Sequence, residues 1–124
     1  MPRNATIPAR KILSLLIQQP LTLRLFRNEI SPAGDETPLD FDEVTGGGYK
    51  AVPLITAAWV IEGNLAKYPP VTFVFTGQVG QVNGYYVTLG SDEVLFAESF
   101  GDTAPFIRTA GDEIEVTPRL WPKG

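Results

Sequence analysis

After Pro20 the chain never sustains a helical pattern again; short runs alternate apolar with polar residues, and glycine or proline cuts each run off. That period-two punctuation is the strongest constraint on the fold, because side chains on a strand point alternately to opposite faces. Leu21, Leu23 and Leu25 alternate with Thr22, Arg24 and Phe26. Val71–Thr76 alternates before Gly77, and Glu113–Thr117 alternates after Gly111. Shorter runs lie at Tyr49–Leu54, Ala57–Ile61 and Phe106–Thr109, with a turn at Glu62-Gly63-Asn64. Tyr85–Leu89 and Val94–Phe100 flank Gly90–Glu93, which reads as a four-residue hairpin loop. About seven or eight short strands without interleaved helices predict an all-β fold, an antiparallel sandwich or barrel.

One helix precedes this region. Ile12, Leu15, Leu16 and Gln19 fall at i, i+3, i+4 and i+7 with Leu13 beside them, and Pro20 stops the run. The reading is therefore an extended arm over residues 1–8, a helix over 9–19 packed on the domain, a β-sandwich over 20–118, and a tail over 119–124. A helix of about three turns is marginal alone in water, so its apolar face must dock. Its longest apolar stretch, Ile12 to Ile17, is too short to span a bilayer and carries no signal-peptide cleavage pattern, so no membrane association is expected.

The 124 residues include no cysteine and no histidine. The first absence removes disulfides, thiol nucleophiles and cysteine-based metal sites; the second removes imidazole acid–base chemistry near neutrality. Carboxylates are left as the catalytic candidates: Asp92/Glu93, Glu98/Asp102 and Asp112/Glu113/Glu115. Glycoside hydrolysis would need two of them fixed across a cleft, whereas acids in loops or on a solvent-facing strand are ordinarily just solvated. The expectation is a protein that is not an enzyme. Asp35, Glu36, Asp40, Asp42 and Glu43 lack the ligand spacing and central glycine of a calcium-binding EF-hand, and Gly46-Gly47-Gly48 is followed by Tyr49-Lys50 rather than the Lys-Ser/Thr of a phosphate loop. No metal and no cofactor are expected. The glycine triplet reads as a hinge or a close backbone approach. Tyr85 and Tyr86, being adjacent, should point to opposite faces, one in the core and one exposed.

Charge is segregated. Residues 1–28 hold Arg3, Arg10, Lys11, Arg24 and Arg27 with no acid, and residues 29–48 hold Glu29, Asp35, Glu36, Asp40, Asp42 and Glu43 with no base. Two readings stand: a basic arm that meets acids on a neighbouring subunit, or arm and loop neutralising each other within one chain. Direct nucleic-acid binding is disfavoured, because the spread cations lack interleaved aromatics. Leu39 and Phe41 alternate with acids and are expected to pin the loop to the core. The tail carries Leu120 and Trp121 between Pro118 and Pro122, and a terminal Trp either caps the sandwich or anchors into a partner.

The order of segments carries a resemblance. Leu21–Asn28, then Leu39-Asp40-Phe41-Asp42-Glu43, Gly48-Tyr49, Trp59, Asn83–Thr88, Phe96–Phe100 and Gly111–Arg119 together resemble a group of small virion structural proteins of tailed bacteriophages, over about residues 21–119. The resemblance implies a capsid decoration (cement) protein, present in many copies or as a homo-oligomer. Its partners would be the major capsid protein or other virion subunits, and it would be assembled into the virion in the bacterial host cytoplasm. The alternative is a tail, baseplate or fibre-associated module that binds carbohydrate or a receptor. From charge and expected exposure, the partner-contact residues are Arg3, Arg10 and Lys11 in the arm, Asp40, Asp42 and Glu43 in the loop, and Leu120 and Trp121 in the tail.

Overall fold

In the computed structural model, which describes residues 9–33, 35–90 and 93–120, the period-two segments become strands of a sandwich-like all-β body with one short helix. Helix α1 spans Ala9–Leu16. It is followed by β1 (Leu21–Phe26), β2 (Val52–Pro53), β3 (Val60–Glu62), β4 (Leu65–Lys67), β5 (Val71–Val74) and β6 (Gly80–Gln81). Then come β7 (Gly84–Leu89), β8 (Glu93–Ser99), β9 (Phe106–Ile107), β10 (Glu113–Val116) and β11 (Arg119–Leu120). The eleven strands among the described residues exceed the expected number because several are two- or three-residue pairings that alternation cannot reveal.

The frame is an antiparallel sheet in the order β2-β1-β7-β8. A three-stranded sheet, β11-β4-β3, and the pairs β10-β5 and β6-β9 complete the body. All four groups contribute to one core: Leu21, Leu23 and Leu25 from β1, Tyr85 and Val87 from β7, Ala66 from β4, Phe73 from β5, Ile107 from β9, Ile114 and Val116 from β10, and Leu120 from β11. Complete burial of one leucine of this kind is worth about 1.5–3 kcal/mol. Because β1 alternates, the same residues that bury Leu23 and Leu25 turn Arg24 to the outer face, directly opposite Tyr86 of β7.

Several expectations shift. The helix is shorter than residues 9–19, and its buried side is set by Leu13, fully inaccessible, with Ile17 packed against the core, while Leu15 is half exposed. The apolar stripe is thus rotated around the helix axis from the one predicted, because two adjacent stripes are apolar and α1 turns one of them to β3 and β4. The hairpin between β7 and β8 pairs Leu89 with Glu93, so Glu93 belongs to the strand and the connection is a residue shorter than predicted. Within that hairpin the register slips: Val87 faces Phe96 and Thr88 faces Val94, leaving Leu95 as an extra residue in β8. The segment assigned to the tail begins as a strand, with Arg119 and Leu120 paired to Lys67 and Ala66. Pro118 ends the preceding run yet still accepts a hydrogen bond from Tyr68 N–H, so the chain crosses from one pairing to the next without a free end.

Gly84 faces Phe26 across the β1–β7 ladder, and a side chain there would collide with the Phe26 ring and the Glu98 carbonyl. Of the two readings of Gly46-Gly47-Gly48, close backbone approach is the observed one. All three have left-handed backbones (φ +79°, +57° and +76°), and Gly47 packs against Gly77, its carbonyl accepting from Thr76 N–H at 2.8 Å.

Candidate interaction surface

The acidic loop is the most elaborated part of the surface. Residues 42–44 return beside the end of β1: Arg27 N–H donates to the Asp42 carbonyl at 2.8 Å, Val44 N–H donates to the Leu25 carbonyl at 3.0 Å, and Phe26 bridges Glu43. Phe41 then folds over the outer face of the sheet, stacked on Tyr86 with ring centroids 4.5 Å apart and tilted against Phe26 at 4.9 Å. These three rings form a second, smaller core. Tyr86 is consequently buried, as Tyr85 is, so neither of the pair is the exposed one expected; the Tyr86 pKa is pushed up to about 12, mainly by burial and next by the Glu43 carboxylate, with Arg24 acting in the opposite sense.

Asp40 closes a single 3-10 turn, Pro38–Asp40, by accepting from the Thr37 N–H at 2.8 Å, and its carbonyl receives the Asn28 amide at 2.9 Å. The Asn28 side-chain oxygen accepts from Asp42 N–H at 2.8 Å. The turn is therefore held on both sides by hydrogen bonds, and at its tip Leu39 is 95% exposed. Leu39 does not pin the loop; Phe41 alone of the expected pair does so. A large aliphatic side chain displayed on an anchored turn between acids is the feature that residue counting missed. The signal lay in Thr37-Pro38-Leu39-Asp40, a proline-initiated turn with an acid to cap it.

Beneath the turn, Arg24 Nη1 contacts Glu43 Oε1 and Oε2 at 3.1 and 3.2 Å, while Arg24 Nε donates to Thr88 Oγ1 at 3.1 Å. Tyr49 donates its hydroxyl to Glu43 Oε2 at 2.6 Å and accepts from Leu25 N–H at 3.1 Å. Burial first, and the Glu43 carboxylate second, hold the Tyr49 hydroxyl protonated well above its ordinary range. Arg27 pairs with Asp42 at 3.5 Å, both largely solvated. Two of the five cations in residues 1–28 are thus neutralised inside the chain by the acidic loop.

The expected contact residues part company. Arg3 and Trp121 lie outside the described residues, and of Arg10 only the backbone, in the first turn of α1, is described. Lys11 is exposed on α1. Asp40 and Asp42 are exposed on the loop, whereas Glu43 is half-buried and occupied by Arg24 and Tyr49. Leu120 is corrected outright: at 2% exposure it belongs to the chain's own core, because β11 pairs with β4 and turns it inward beside Ala66. The helix and the loop lie on opposite sides of the four-stranded sheet, since Leu13 enters the main core while Phe41 covers the outer face.

Of the acids considered for hydrolysis, Glu98 and Asp112 are held by other groups, and Asp92 lies outside the described residues. Glu98 receives the Tyr85 hydroxyl at 3.1 Å and Arg119 Nη2 at 3.2 Å. Asp112 accepts from Arg108 N–H and Thr109 N–H, at 2.8 and 3.1 Å, and Glu113 and Glu115 occupy the exposed side of β10. Elsewhere an open depression of about 510 Å³ is lined by Glu29, Ile30, Ser31, Gln81, Asn83, Ser99, Gly101 and Asp102. It offers carboxylates, amides and hydroxyls but no aromatic platform for a sugar ring. Among the described residues no cluster of three metal-ligating side chains occurs, and no helix is long and apolar enough to cross a membrane. No family model, curated protein or solved structure was found to match this chain.

Proposed function

We propose that the chain is a virion structural protein of a tailed bacteriophage, a capsid decoration protein that works by bridging neighbouring subunits. The observation that carries the reading is Leu39, 95% exposed on a turn fixed by Asp40, Asn28 and the Phe41–Tyr86 stack. Ordering a loop costs free energy that its own burial must offset, and here that ordering ends in an apolar tip left in water. Such a tip gains when a partner covers it, and its pre-organisation lowers the entropic cost of doing so. The resemblance of residues 21–119 to small phage virion proteins supplies the biological setting. Repetition around a symmetric shell then multiplies a modest contact.

Quantitative mass spectrometry of purified particles from a phage that encodes the chain tests this. Copy number comparable to the shell subunits is expected; absence from particles overturns the reading. Leu39→Asp should leave the isolated domain's unfolding unchanged and weaken its retention on particles. A second reading, a fibre or baseplate module that binds a glycan, draws on the polar depression around Glu29 and Asp102. Saturable binding on a glycan array, lost in Asp102→Ala, would favour it, together with a copy number of only a few per particle.

A further inference from the structure

We infer that the partner of the Leu39 turn is a second copy of this chain, seated head to tail through the exposed side of α1, where Lys11 and Leu15 stand one turn apart. This rests on the assignment of that turn as a contact surface. The residues that argue for it lie on opposite sides of one molecule. On the loop side, Leu39 is flanked along the chain by Asp35 and Asp40, both exposed. On the helix side, Leu15 is 49% exposed on α1, Val60 is 56% exposed on β3, and α1 packs against β3. Lys11, exposed on the same helix, has no ion-pair partner among the described residues, and Arg10 adds a second cation to this segment.

Each side therefore offers what the other lacks: an apolar tip with acids beside it in the chain, and apolar side chains accompanied by cations. Within one chain the two cannot meet, because the four-stranded sheet separates them; what the chain neutralises internally is Arg24 with Glu43 and Arg27 with Asp42. Glu62, the acid nearest Val60 along β3, is paired with Lys67 at 3.6 Å, so it does not leave the helix face acidic by itself. Two different patches joined head to tail make a heterologous contact, which propagates into a ring or an open array instead of stopping at a symmetric dimer. Opposite charges across it make the association weaken as salt rises.

Sedimentation velocity of the full chain over a concentration series, at low and high salt, tests the inference. Mass that grows with concentration and falls with salt is expected, and a chain that stays monomeric throughout overturns it. Leu39→Asp and Lys11→Glu, both at exposed positions, should each weaken self-association roughly tenfold or more. The decisive mixture combines the two variants: Leu39→Asp keeps an intact helix face and Lys11→Glu keeps an intact turn, so together they should form one-to-one pairs that grow no further. If the mixture fails to pair while the wild type dimerises, the contact is symmetric and the inference falls. If the wild type is monomeric yet Leu39→Asp still loses particle retention, self-association fails while the proposed function stands.

Discussion

The two faces of the four-stranded sheet carry the same chemical device in different settings. On the outer face Arg24, Glu43 and Tyr49 join; on the inner face, near the rim, Arg119, Glu98 and Tyr85 join. In each, a tyrosine hydroxyl donates to a glutamate that also receives an arginine. The outer trio is the more enclosed, with side-chain exposures of 23% and 31% for the ion pair, against 42% and 38% for the inner one. It also has more partners, since Arg24 reaches Thr88 and Tyr49 accepts from the Leu25 backbone. The difference follows from what each one fastens. Glu43 ties a loop onto a finished sheet, and the loop then roofs its own tether; Glu98 ties the edge of one sheet to β11 of another, where water still reaches.

The largest expected effect separates the two glutamates. Glu43→Gln should destabilise the domain by about 2 kcal/mol, because it leaves the half-buried Arg24 without its countercharge and neutralises the acceptor of the Tyr49 hydroxyl. Glu98→Gln should cost no more than about 1 kcal/mol, as an exposed pair contributes little. Urea unfolding of both variants reads this directly, and equal losses would break the comparison. Next comes Tyr49→Phe, which strands the Leu25 N–H and should cost about 1–2 kcal/mol, more than Tyr85→Phe, whose hydroxyl receives no backbone donor in its trio.

Both tyrosines share a pH signature. Burial first, then the neighbouring glutamate, raises each phenol above its ordinary value near 10. A raised pKa means that the folded state holds the proton more tightly than the unfolded chain does. The contribution is complete below pH 10 and is lost as pH climbs beyond it. Stability should therefore fall steeply on the alkaline side, and each Tyr→Phe variant should flatten that fall, as followed by thermal unfolding between neutral pH and the alkaline limb. The smallest effect is ionic: added sodium chloride should weaken the Arg119–Glu98 coupling, measured by a double-mutant cycle, by a few tenths of a kcal/mol more than the Arg24–Glu43 coupling.

What alternation could reveal was one face of each strand. Leu21, Leu23 and Leu25 announced the inward side of β1, and Ile114 and Val116 that of β10. The pattern marks the other side as polar without saying whether water or a polar loop covers it, which is why one of Tyr85 and Tyr86 was expected outside and Glu43 was placed among the partner contacts. Leu120 was misplaced for a related reason: its strand partner, Ala66, is remote in sequence, and a two-residue strand has no period to detect. Helix α1 was legible as an element but not in orientation, since Leu15 and Leu13 are equally apolar and tertiary contact with β3 and β4 chose between them. Leu39 had the composition of a core residue, and a turn geometry set by proline and aspartate turned it outward.

The extra residue in β8 has a consequence for how the border of the sheet meets other chains. β8, the longest strand among the described residues, ends the order of its sheet, the position at which a further strand could be added. Leu95 breaks the spacing of that rim, and a kinked, glutamate-bearing border is a poor template for edge-to-edge stacking. Two copies of the chain meeting border to border would then be hindered from zipping into a continuous sheet.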